Sequence, residues 1–143
     1  MINKNIKSLS RKSKKWKGDS SSLMRLLNKM RVAMINNNGV GIAAVQIGVH
    51  TRVCIVLEEA IINPVISQKS MFTTKFVEGC LSLPDLSIKT ERSKKITIKY
   101  FNENGQPKQK RFEGFSAIVL QHELDHLNGK TILDRGKLVC NLS

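Results

Sequence analysis

The feature that most constrains this chain is the string Gln121-His122-Glu123-Leu124-Asp125-His126-Leu127. Two histidines four residues apart share one face only if the backbone is helical, and there their ring nitrogens can chelate a single ion. Glu123 follows the first histidine, where its carboxylate reaches a water at such an ion. Chance places H-E-x-x-H in roughly 1–2% of chains of this length, so the string alone also fits a helix with two surface histidines. The decision falls to a third ligand. Zincin-type peptidases take theirs from a Glu or His after the helix, but here only Asp134 follows, with no further His or Glu. Upstream, Cys80 stands in Glu78-Gly79-Cys80-Leu81-Ser82. Its thiolate beside a glycine can approach a helix closely, although a buried structural cysteine reads the same way.

A chain of 143 residues with 41% apolar content suits one domain with its own core. It needs neither disulfides nor a structural metal to fold, which leaves any metal free for chemistry. Three scattered cysteines exclude a secreted disulfide framework, and Cys54 and Cys140 are expected to be structural. No apolar run has the length of a membrane span and no apolar stretch follows the N-terminal charges. A soluble, intracellular protein is expected.

The net charge of +13 is uneven, because Lys4, Lys7, Arg11, Lys12, Lys14, Lys15 and Lys17 all precede the first acid, Asp19. Residues 1–18 are read as a loosely ordered basic arm, and 19–143 as a single catalytic domain. The arm is a solvated tail, a contact for nucleic acid such as ribosomal RNA, or a transit peptide.

Asp19 and Ser20–Ser22 supply N-cap chemistry for a helix whose core stripe is Leu23, Leu26, Leu27, Met30 and Met34, stopped by Asn36–Gly39. Val53–Leu57, Ile61–Ile66, Thr73–Cys80, Ile96–Phe101 and Gln109–Phe112 read as strands. Pro64 demotes part of the second to an edge or bend, and the last two form a hairpin across Asn102–Gly105. Phe115–Asn128 is the second helix. The expected class is α+β, with mostly antiparallel strands packed around a central metal-binding helix.

Gly39-Val40-Gly41-Ile42-Ala43-Ala44-Val45-Gln46 completes the pattern. Its glycines allow backbone to approach a ligand, and the Gln46 amide can donate to a developing oxyanion. It lacks the third glycine of a dinucleotide fingerprint. In motif, order and spacing, this segment, Glu78–Ser82 and Gln121–Gly129 resemble the peptide deformylase family from about residue 23 to Leu133. The resemblance extends to Ile62-Asn63-Pro64.

That resemblance implies a hydrolase removing the formyl group from the N-terminal methionine of nascent peptides. A metallopeptidase-like amide hydrolase is the alternative, and a basic nucleic-acid-binding module with a structural metal is the reading from another class. Cys80, His122 and His126 would hold one divalent ion, Fe²⁺ first, with Zn²⁺, Ni²⁺ or Co²⁺ as substitutes. Glu123 would move the proton, while Gln46 and the Leu81 backbone N–H would stabilise the oxyanion. Gly41 would border the formyl hydrogen and Val40 would offer its backbone to the substrate. Val40, Phe115 and Ile118 would surround the methionine side chain. The expected location is the cytoplasm, with an organelle or a phage-infected host left open.

Three departures from the family stand out. The N-terminal stretch is basic where relatives carry leucines and a proline. Asn38 replaces an acid, so Arg92 is expected to lack its usual partner. Few residues follow His126, which removes a helix that many relatives use at the ribosome. Deleting residues 1–17 is then expected to weaken ribosome binding and to spare hydrolysis.

Overall fold

The computed structural model describes residues 1–141, with side chains as far as Gly136. Cys140 and residues 142–143 therefore lie outside what can be said of side chains. The chain opens with one helical turn, α1 (Ile6–Leu9), then α2 (Ser20–Asn36), β1 (Gly41–Ala43), a 3₁₀ turn at Ala44–Ile47, and β2 (Val53–Val56). There follow β3 (Glu59–Lys69), β4 (Thr73–Cys80), β5 (Leu83–Ser93), β6 (Lys95–Phe101), β7 (Pro107–Glu113), α3 (Gly114–Leu127), a short 3₁₀ turn at Ile132–Asp134, and β8 (Gly136–Asn141). All strand pairs are antiparallel, in a five-stranded sheet ordered β1-β2-β3-β6-β7 and a three-stranded sheet ordered β4-β5-β8. The α+β expectation holds, with α3 between the sheets.

Helix α2 starts where Asp19 accepts the Ser22 N–H at 2.7 Å, an N-cap of the kind that stabilises by about 1 kcal/mol. Its stripe of Leu23, Leu26, Leu27, Met30 and Met34 is buried against Ile42, Val53, Ile55 and Ile62 on one face of the larger sheet. Ala117, Leu120, Leu124 and Leu127 of α3 pack on the other face, against Cys54, Ile96, Ile98 and Phe112. Helix α3 is thus clamped by a core that its own apolar positions help to build.

Pro64 acts as expected: β3 runs through it for 11 residues, but it pairs with β2 only as far as Ile62 and with β6 alone beyond, and its register shifts between Ile62 and Val65, where the missing N–H would have bonded. The structure corrects two other expectations. Strands β1, β5 and β8 are absent from the sequence reading. Gly41–Ala43 looked like a turn, and Leu83–Ser93 is a polar, charged strand without an apolar period. Last, residues 1–18 are not loose. Leu9 is fully buried in the α3 core, Ser13 donates its N–H to Leu127 O at 2.9 Å, and Lys14 bridges Thr51. Asn63 clasps the backbone of Trp16 through both side-chain atoms, at 2.8 and 3.1 Å. The seven cations of this stretch all remain exposed. No helix among the described residues is long and apolar enough to cross a membrane.

Candidate active site

Strand β4 ends on Cys80, and α3 carries His122 and His126 one turn apart. The ligand atoms of these three residues lie within 4.8 Å of one another. Cys80 Sγ stands 3.4 Å from His126 Nε2. His122 is aimed by its surroundings: its Nδ1 bonds Glu78 Oε1 at 2.9 Å, which turns Nε2 toward the cysteine and away from bulk water, whereas His126 Nδ1 has no hydrogen-bond partner. His126 is fully buried, and burial, followed by the charges of His122 and Arg92, lowers its pKa to about 3, so it stays neutral and able to ligate. Burial opposes a charged His122, but the Cys80 hydrogen bond, the Glu123 charge and Glu78 outweigh it and raise its pKa well above the usual value. These donors create a negative field suited to a cation, and two imidazoles plus a thiolate are soft to borderline ligands for a divalent transition metal. The residues fit a metal cofactor.

Glu78 and Arg92 hold this frame. Arg92 donates Nε and Nη2 to both Glu78 carboxylate oxygens at 2.8 and 2.9 Å, and Nη1 to Asp125 Oδ2 at 2.5 Å. Thr90 donates to Glu78 as well, and Arg135 grips Asp125 from outside at 2.9–3.0 Å. Burial alone raises the Glu78 pKa, but bonds from Arg92, His122 and Thr90 prevail and bring it to about 2. Arg92 therefore does not lack a partner despite Asn38: the acids come from β4 and α3. Glu78, Arg92 and Asp125 were not singled out as site residues. The sequence carries no signal joining them, because their pairing spans 14 and 33 residues.

Glu123 is 3% exposed and its Oε1 has no hydrogen-bond partner. Burial raises its pKa to about 7, opposed first by the His122 charge. A carboxyl in this condition can exchange protons near neutrality. Gly41 explains how Glu123 is accommodated: a Cβ there would sit 2.6 Å from Glu123 Oε2 and 2.8 Å from Val119 Cγ1. Gln46 is 1% exposed, with Oε1 accepting the Ala43 N–H at 2.9 Å. Its Nε2 points toward Ser82 Oγ at 3.3 Å and Cys80 Sγ at 3.7 Å, so the amide is oriented with its donor toward the cluster.

These groups open into a cavity of about 590 Å³, lined by Val40, Gly41, Gln46, Cys80, Leu81, Phe115, Ile118, His122 and Glu123. His126 alone of the residues singled out in the sequence lies beneath it. Ile118 is buried in its wall, whereas Val40 and Phe115 are half exposed at the rim. Phe76 and Val77 of β4 also line the cavity and were missed; Phe76 meets Phe115 at 5.9 Å between ring centres. The alternation of β4 gives no hint of them, since Lys75, Phe76 and Val77 follow one another and all three are exposed. Cys54 is fully buried beside this region, and burial raises its thiol pKa well above the usual value, as expected of a structural cysteine.

A family profile described as polypeptide deformylase matches residues 2–141. A peptide deformylase of Thermotoga neapolitana is 40% identical over 120 residues, covering 81% of this chain and 73% of the relative. The crystal structure of peptide deformylase from Thermotoga maritima superimposes with a TM-score of 0.89 at 36% identity, covering 96% of this chain and 97% of that one. A class I type b peptide deformylase from Acinetobacter baumannii, solved with Met-Ala-Ser bound, gives 0.90 at 31% identity, covering 94% and 96%. Sequence and fold agree along nearly the whole chain, and the chain belongs to the polypeptide deformylase family of metal-dependent enzymes that remove N-formyl groups.

Proposed function

We propose that Cys80, His122 and His126 hold the metal of this deformylase and that Glu123 is its proton carrier. The observation that carries this reading is the buried, unpartnered Glu123 carboxyl beside the three converging donors. The ion is Fe²⁺, replaceable by Zn²⁺, Ni²⁺ or Co²⁺, and it supplies Lewis acidity that makes water nucleophilic near pH 7. Glu123 accepts a proton as water oxygen attacks the formyl carbon, and delivers one to the amine nitrogen as the C–N bond breaks, releasing formate. The Gln46 amide and the Leu81 N–H stabilise the charge that builds on the formyl oxygen.

The substrate enters past Val40, whose backbone pairs with the peptide, and Gly41 faces the formyl hydrogen, where a side chain would collide. Phe115, Ile118 and Val40 surround the methionine side chain. The Acinetobacter relative holds a peptide that begins with methionine, which supports the same residue type here. A metallopeptidase reading is disfavoured because the third donor, Cys80, lies upstream of the helix and none of the usual kind lies downstream. The enzyme works in the cytoplasm, on nascent chains at the ribosome, with the exposed cations of residues 4–17 as its contact to ribosomal RNA.

Formate release from formyl-Met-Ala-Ser tests this assignment. Wild type should turn over, and Cys80→Ser should lose metal and activity or change its metal preference. Full iron occupancy with unchanged kinetics in Cys80→Ser would remove Cys80 from the ligand set.

A further inference from the structure

The five-stranded sheet is covered unequally. Helix α3 lies on the face of Ile96, Ile98 and Phe112, while α2 covers the opposite face only over β1, β2 and the start of β3, as far as Ile62. Beyond Ile62 that second face is open. Directly paired strand residues share a face, so the register sets Val65, Lys99 and Gln109 in one row, Thr97 with Arg111 in the next, and Phe101 with Pro107 at the end.

Two hollows lie side by side there. One, of about 520 Å³, gathers Lys95 and Arg111 with the neutral donors Gln68, Ser70 and Thr97. The other, of about 450 Å³, has Val65, Phe101 and Pro107 as apolar walls and Lys99 and Asn63 beside them. Thr97 of the first and Lys99 of the second are about 7 Å apart along the strand. Phe101 is 42% exposed and Val65 64%, an unusual outlay of apolar surface among cations. Glu113, opposite Lys95, is the carboxylate of this face, and it is taken up by Arg111 at 2.8 Å.

We propose that this open half-sheet binds single-stranded RNA. The cationic hollow takes phosphate, and Phe101 offers a ring on which an unpaired base stacks. A duplex keeps its bases stacked inside and has no use for that ring. The face points away from α3, so occupancy leaves the substrate cavity free. The basic stretch is anchored at the C-terminal end of α3 through Ser13, but Trp16 is bonded to Asn63, which lines the second hollow, so Lys15 and Lys17 border this face and are separated from it by the test below.

The test is fluorescence anisotropy with a labelled uridine single strand of about eight nucleotides, set against a duplex of equal charge and vesicles of anionic phospholipid. The paired substitution Lys95→Glu with Lys99→Glu should weaken single-strand binding at least tenfold and reduce the slope of log affinity against log salt by about 2. Phe101→Ala should weaken it about tenfold and leave that slope unchanged. Formate release from a short formyl peptide should match wild type in both variants, which shows that they are folded. Unchanged RNA affinity in both, loss of binding only when Lys14 and Lys15 are reversed, or equal affinity for duplex or vesicles would each overturn the proposal.

Discussion

At the residue scale, catalysis rests on a carboxyl kept dry and unpaired. Glu123→Gln preserves shape but cannot carry a proton, so formate release should fall by about 10²–10⁴-fold while metal content, read by elemental analysis, stays at wild type. Near-normal turnover would mean another group moves the proton. Gly41 is tested by Gly41→Ala, whose methyl would meet Glu123 Oε2 and Val119; kcat should drop with little change in thermal midpoint. These residues were legible in the sequence because each belongs to a short string whose chemistry is local. Glu78 was not, since its role appears only when β4, β5 and α3 meet. Replacing it with Gln leaves Arg92, 5% exposed in its side chain, facing one carboxylate fewer. The expected loss is about 3 kcal/mol in denaturant unfolding, with metal affinity weakened about 10–100-fold through His122.

Element by element, the helices and the hairpin could be read from period and turn residues, but the N-terminal stretch could not. Its lysines read as a solvated arm, and its one fully buried apolar side chain, Leu9, stands without periodic company, while the other anchors are backbone bonds that no sequence pattern shows. Burial of Leu9 and the 2.6 Å bond from Asn3 N–H to Gln46 O tie this stretch to the segment bearing the oxyanion donor. Leu9→Ala should therefore cost about 2–5 kcal/mol in unfolding free energy. Removal of residues 1–17 should lower stability and slow hydrolysis of even a short formyl peptide, contrary to the expectation that hydrolysis would be spared. Retention of full kcat/KM and an unshifted melting curve would restore the picture of a detachable arm. Strand β5 was missed for the opposite reason: its inward side passes from Ile88, in a small apolar cluster, to Thr90 and Arg92, which meet Glu78 and Asp125, so no apolar alternation runs along it.

For the whole molecule, two sheets and one helix must converge before any metal site exists, since Cys80 and His126 are 46 residues apart in the chain. The ion binds only that converged arrangement, so it stabilises the native state by mass action. Stripping it with a chelator should abolish formate release and lower the unfolding midpoint, and returning a divalent ion should restore both. The identity of the ligands is tested most directly by X-ray absorption on the zinc-loaded protein. One sulfur at about 2.3 Å and two imidazole nitrogens at about 2.0–2.1 Å are predicted, with the sulfur lost in Cys80→Ser and kept in Cys54→Ser. A shell of nitrogen and oxygen alone, or a sulfur that survives Cys80→Ser, would contradict the site described here.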